Sequence, residues 1–232
     1  SEPSLDTVYD WALEDINPNS EYYFPDYGET IGPSTYMENQ HVSVYYFGKA
    51  GWSLCRHRFG VLNDMYLDLV EEGYDDIKFV GVNGYAYINN DYHCMICDTP
   101  DECSNCTEER ILPWVQDVPA IIIEEYENQI DCEQNELSWG VGEQISWSLL
   151  GESECIENGY SWFHGECIEF IYGCLQDVDI WGNWDITLRD LVIVNKQGYE
   201  VSRLNLTGNN PDPNSTCGEN YQTIKDLIIG AR

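Results

Sequence analysis

Residues 41–82 constrain the fold more than any other stretch of this chain, because they read as strand, helix, strand in immediate succession. In His41 to Phe47, Val42, Val44 and Tyr46 alternate with Ser43, Tyr45 and Phe47, the two-residue period of a strand. From Leu54 to Glu72 the apolar residues Phe59, Leu62, Met65, Tyr66, Leu69 and Val70 recur at helical spacing. Gly73 follows, the residue type that most easily takes the left-handed conformation closing a helix. Ile77 to Val82 is then a short β-branched run of the kind buried in parallel sheets. Such a βαβ unit is expected to make a right-handed crossover.

The rest of the chain is less uniform. Residues 1–39 are rich in Pro, Asn, Tyr and acid, with Asn17-Pro18-Asn19-Ser20 as a turn signal. They read as an extended N-terminal arm that either wraps its own domain or docks on a neighbour, own-domain packing being the default. Val118 to Ile123 is expected to be a strand led by Pro119. Residues 128–180 change character, with four cysteines, several Trp and Gly and little β-branching; His164 to Gln176 suits a short helix with Cys167, Phe170, Ile171 and Cys174 on one face. Leu188 to Val194 is a strand, Asn195-Lys196-Gln197-Gly198 a hairpin turn, and Tyr199 to Leu206 the returning strand. Gly218 to Ile229 is a closing amphipathic helix. The expected organisation is an arm at 1–39, an α/β domain made of 40–131 and 179–232, and a disulfide-rich insertion at 132–178.

The sharpest chemical feature is Gly48-Lys49-Ala50-Gly51-Trp52-Ser53-Leu54-Cys55-Arg56-His57-Arg58. It puts one thiol at a helix start beside three cationic or titratable residues. A helix N-terminus and neighbouring cations lower a thiol pKa, so Cys55 is the candidate reactive thiol. Burial, or a bridge to another cysteine, is the structural alternative.

The order β-α-β, proline-led β, β-hairpin, α resembles a thioredoxin-like fold, in particular the N-terminal thioredoxin-like domain of selenoprotein P. The residues carrying the likeness are Ala50 to Cys55, Leu69 to Tyr74, Val80 to Asn83, Val118-Pro119, Glu127 to Asp131 and the final hairpin. The resemblance implies an α/β thioredoxin-like fold; the N-terminal arm is added by composition, and the Cys-rich insertion at 132–178 departs from the family's pattern. It implies a selenocysteine or cysteine three residues before Cys55, where this chain has Trp52. Thiol–disulfide exchange needs an attacking chalcogenolate and a resolving thiol, and Trp supplies neither. The resemblance also marks Pro119 as a cis-proline candidate facing the site.

The chain has 42 acidic residues against 10 basic, a net charge of −32. Such a surface disfavours nucleic acid and anionic membranes. Calcium bound by surface carboxylates is the possible cofactor, through Glu71-Glu72, Asp75-Asp76, Asp98 to Glu102, Glu108-Glu109 or Glu124-Glu125; solvated faces are the plainer reading and no EF-hand pattern exists. Ten cysteines and three Asn-x-Ser/Thr sequons, at Asn105, Asn205 and Asn214, point to a secreted, extracellular protein carrying disulfides and N-linked glycans. The expected disulfide cysteines are Cys94, Cys97, Cys103, Cys106, Cys132, Cys155, Cys167, Cys174 and Cys217. Cys94-x-x-Cys97 and Cys103-x-x-Cys106 leave zinc or a displaced redox pair as lesser alternatives. His41, His57, His93 and His164 are scattered and read as structural. No apolar run approaches the roughly 20 residues of a membrane span. The chain opens at Ser1 without a leader pattern, so a mature form is expected.

Two functions follow from different classes, with a soluble calcium or metal carrier as a third. The first is a redox-inactive, secreted, disulfide-stapled glycoprotein that binds or self-assembles, as a homo-oligomer or filament. The alternative is an extracellular thiol–disulfide oxidoreductase or peroxidase using Cys55.

Overall fold

The computed structural model describes residues 7–25, 29–98, 103, 106, 108–123, 129–134, 138–147, 152–158, 160–163, 166–177 and 179–232. They fall into two compact units, one of residues 1–118 and 179–232, the other of residues 119–178.

The first unit begins with β1 (Leu13–Glu14), β2 (Thr30–Ile31) and the short α1 (Pro33–Glu38). β3 (Val42–Gly48), α2 (Ser53–Glu71) and β4 (Ile77–Asn83) then form the expected βαβ unit, with β3 and β4 parallel from Val42–Ile77 to Gly48–Asn83. α2 ends where the sequence places its stop. Gly73 takes φ +89°, and the Tyr74 amide turns back onto the Leu69 carbonyl at 2.9 Å. α3 (His93–Ile96) and the edge strand β5 (Trp114–Gln116), parallel to β4, complete this half.

The second unit holds β6 (Ala120–Ile123), α4 (Gln129–Gln134), β7 (Ser138–Trp147), α5 (Glu152–Glu157), β8 (Ser161–Phe163) and β9 (Glu166–Asp177). β9 is central, antiparallel to β6 and β7, with β8 also paired to it. Two expectations change here. The His164 to Gln176 segment is a strand over its described length, not a helix: a short apolar run fits both periods, and pairing partners for β9 decide it. The proline-led strand belongs to this sheet, so the second unit starts at 119 rather than 132.

The chain returns to the first unit through α6 (Ile180–Asn183), the hairpin β10 (Asp190–Val194) and β11 (Glu200–Asn205), and α7 (Glu219–Gly230). The five-stranded sheet runs β11-β10-β3-β4-β5, with β10 antiparallel to β3. A parallel βαβ unit flanked by an antiparallel hairpin and a closing helix is a thioredoxin-like α/β arrangement.

Both faces of this sheet are covered, which explains why every residue of β3 is buried. On one face Val42, Val44 and Tyr46 meet Phe59, Leu62 and Met65 of α2 and Ile224 and Ile228 of α7. On the other face Tyr45 and Phe47 pack with Trp11, Leu13 and Tyr36 of the N-terminal segment. The described residues of the arm therefore pack on their own unit. Polar stitches fix it there. The Asn17 side-chain amide donates to the Arg110 and Leu112 carbonyls at 2.8 and 2.7 Å, and the Asp15 carboxylate accepts from the Trp114 amide at 3.0 Å. This contact covers the exposed edge of β5, a position otherwise open to pairing with another chain.

Three disulfides are described: Cys94–Cys103, Cys97–Cys106 and Cys155–Cys167. The two C-x-x-C pairs thus bridge to each other, which uses all four thiols and leaves no zinc or redox pair among them. Cys132 and Cys174 lie on α4 and β9, and their side chains fall outside the described residues. Cys217 corrects an expectation, since it is exposed and unbridged in the turn Thr216–Gly218. The other free cysteine, Cys55, is fully buried in α2, so the two are separated by burial.

Candidate functional site

The site forms at the C-terminal ends of the parallel strands, where loops leave β3 and β4 together. Such ends are the usual ligand position in open α/β sheets. Asn83, 1% exposed at the end of β4, organises it. Its Oδ1 accepts from the Ala50 amide at 3.0 Å. Its Nδ2 donates to the Tyr87 carbonyl at 3.1 Å and to Gln116 Oε1 at 2.6 Å. One buried amide thereby ties the loop before α2 to the turn Tyr85–Tyr87 and to β5. Gly51 lets the Asn90 side chain approach this loop, since a Cβ there would lie 2.3 Å from Asn90 Oδ1 and would displace it.

Trp52 occupies the N-cap of α2 and offers no side-chain acceptor to its first turn. Its ring is 47% exposed. Lys49 Nζ lies 4.7 Å from the indole centroid and 4.9 Å from that of Tyr87, and the Arg189 guanidinium is 5.9 Å from Trp52, all within cation–π range. Cys55, one turn on, is 0% exposed. Its carbonyl accepts from the Tyr46 hydroxyl at 3.3 Å. The expected cationic neighbours diverge: His57 pairs with Asp212 at 3.1 Å, whereas the Arg58 Nε donates to the Leu206 carbonyl at 3.2 Å.

Pro119 does not take the expected place. Among the described residues no peptide bond is cis. The strand antiparallel to β3 is β10, entered through Thr187, Leu188 and Arg189. Pro119 instead opens the second unit. At this boundary Asp117, 0% exposed, accepts from the Ile180 and Trp181 amides at 3.0 and 3.3 Å, so one carboxylate links the chain leaving the first unit to the chain returning. Burial pushes its pKa up to about 6, against the lowering effect of those amides.

The remaining expected sites are dispersed. Asn205 sits in β11 with its Nδ2 donating to the Leu188 carbonyl and Asp190 Oδ1 at 3.0 and 2.9 Å. Asn214 is exposed. Asn105 and His164 lie outside the described residues, as do Glu124-Glu125 and most of Asp98 to Glu102. Glu72 pairs with Lys225, and Asp76 with Lys196 and Arg232. Among the described residues no group of three or more His, Cys, Asp or Glu could hold a metal. No described helix is long and apolar enough to cross a membrane.

Sequence reasoning assigned no role to the side chains of Lys49, Asn83, Tyr87 or Arg189. Arg189 has the one local signal, a non-glycine φ of +75°, and that is a property of the folded chain.

No protein-family model matches this chain, and no curated protein matches it. Solved structures similar to it include the thioredoxin domain of a thiol–disulfide oxidoreductase from Bacteroides vulgatus, with 12% identity and TM-score 0.46 over 98% of this chain and 99% of that one. Others are thioredoxin peroxidase I of Plasmodium yoelii, with 12% identity and TM-score 0.46 over 97% and 88%, and a peroxidoxin from Mycobacterium tuberculosis, with 10% identity and TM-score 0.43 over 98% and 96%. Identities this low carry no information on catalytic residues.

Proposed function

We propose that the protein is a secreted binding component built on a thioredoxin-like scaffold whose thiol–disulfide exchange is silent. The observation that carries this reading is the pair at the start of α2: an exposed Trp52 where an attacking chalcogen would stand, and a fully buried Cys55 behind it. Exchange starts with a thiolate reaching a disulfide sulfur, and the one thiol here is covered. The described disulfides and the sequons support an extracellular setting. The sequence resemblance to the selenoprotein P domain supports descent from a redox scaffold.

The test is restoration. The wild type is expected to show no dithiothreitol-driven reduction of a disulfide substrate above background. Trp52→Cys is expected to gain it. The introduced thiolate attacks the substrate disulfide and releases one substrate thiol; Cys55 then displaces the second, forming the intraprotein disulfide that dithiothreitol reduces. Activity in the wild type would overturn the silent-site reading.

The second reading is an oxidoreductase or peroxidase working through Cys55 alone. The named activities of the similar structures fall on this side rather than on that of a structural component. Stoichiometric alkylation of Cys55 in the unreduced native protein would support it. Self-assembly belongs to the first reading only through surfaces other than the arm. A monomer in sedimentation both with and without calcium would remove assembly and the calcium requirement together.

A further inference from the structure

Lys78, Lys196, Arg203, Lys225 and Arg232 each have a carboxylate within ion-pair distance. Lys49, Arg56, Arg58, Arg110 and Arg189 have none among the described residues, although the chain carries 42 acidic residues for 10 basic ones. These five are not scattered. Lys49, Arg56 and Arg58 flank or begin α2. The Arg189 guanidinium lies by Trp52, and the Arg110 guanidinium lies 2.8 Å from where a Gly60 Cβ would stand. The sequence agrees, for no Asp or Glu occurs between Glu38 and Asp64.

Unpaired cations at one place on an otherwise strongly acidic protein are costly when buried. Arg58 is 6% exposed, and its bond to the Leu206 carbonyl is its one hydrogen bond among the described residues. Arg56 Nε is buried without a hydrogen-bond partner among the described residues. Burial lowers the Arg58 pKa; Tyr46 and Asp212 oppose that, and the like charge of Arg189 adds to it. Lys49 and Arg189 each lie within cation–π distance of the exposed Trp52 indole, and Arg189 spends one donor, its Nε, on the Thr207 hydroxyl at 2.8 Å. A local concentration of positive charge that no carboxylate among the described residues pairs, beside an exposed aromatic ring, is suited to an anion.

We propose that Lys49, Trp52 and Arg189 form the front of a binding site for a compact oxyanion, a carboxylate or a phosphate, with Arg56 and Arg58 supplying charge behind it. The proposal rests on the reading that the former exchange site now binds. It names the ligand chemistry of that site.

The experiment uses the full chain, labelled with ¹⁵N, and two probes titrated separately: sodium malonate and inorganic phosphate. Sodium chloride holds the ionic strength constant. Saturable shifts confined to residues 49–58, the Trp52 indole and Arg189 are expected, and the tighter probe identifies the class. Lys49→Gln should weaken binding roughly tenfold, the value of one charge-assisted contact. Lys196→Gln, which removes a lysine already paired with Asp76, should leave it unchanged. Arg189→Gln provides a second variant, its folding checked by circular dichroism. Unsaturable shifts that chloride reproduces, or Lys49→Gln and Arg189→Gln binding as tightly as the wild type, would overturn the site. Exchange in the Trp52→Cys variant is read independently, so the oxyanion site can fail while the silent-site reading stands.

Discussion

At the scale of single residues, two buried polar groups do more than their size suggests. Asn83 holds three segments with one amide, and removing it strands the Ala50 amide in a dry site. Asn83→Ala should cost about 1–3 kcal/mol in urea denaturation and should broaden or shift the Trp52 indole resonance. An unchanged indole would mean that Asn83 does not position the loop. Asp117 is the second. Its folded pKa is raised to about 6 from 3.8, so between those values the folded chain holds the proton more tightly than the unfolded one. The stabilisation this group contributes is fully present below its unfolded pKa and is lost as pH rises through about 6. The Ile180 and Trp181 amide resonances should titrate with that midpoint. In Asp117→Asn that titration should vanish, and with it the difference in stability between mildly acid and neutral pH arising from this group.

At the scale of elements, the arm and α2 are the informative cases. The arm is held by buried aromatic packing and by Asn17, whose amide satisfies two carbonyls. Asn17→Ala leaves both unpaired and should cost about 1–3 kcal/mol. The same variant should make residues 1–39 the first site of limited proteolysis, while the wild-type arm resists; equal cleavage in both would mean that Asn17 does not hold the arm. α2 depends on Phe59, which is fully buried and stacks on Tyr46 at 6.1 Å and meets Trp114 at 4.9 Å. Phe59→Ala should destabilise by about 3–5 kcal/mol, read as a lower denaturation midpoint with an unchanged slope.

At the scale of the whole molecule, the net charge of −32 works against compactness through self-repulsion. Raising sodium chloride from about 0.01 M to about 0.15 M shortens the screening length from roughly 30 Å to roughly 8 Å, and Tm should rise accordingly. The oxyanion site should respond in the opposite sense, binding its ligand more weakly as salt rises. A Tm indifferent to salt would show that the acidic surface is neutralised locally, as it already is at Asp76, where the Lys196 and Arg232 hydrogen bonds outweigh burial and hold the carboxyl below its usual range.

The sequence by itself determined β3, α2, β4 and the β10–β11 hairpin, because each is written in consecutive residues: alternation for strands, three-to-four spacing for the helix, Gly73 and Gly198 at the turns. It also singled out Cys55 and Trp52, since spacing from a helix start is local information. Only the tertiary structure decided that residues 120–123 join β9 and not the central sheet, that Glu166–Asp177 is a strand, and that the described part of the arm folds back on its own unit. It likewise decided how the described cysteines pair, that Cys217 stays unbridged, and that Lys49 and Arg189 both come within reach of the Trp52 ring. Those outcomes depend on partners far apart along the chain. Periodicity says which face of a segment is apolar, and the free energy of burying that face against a particular neighbour is settled only when the chain has closed on itself.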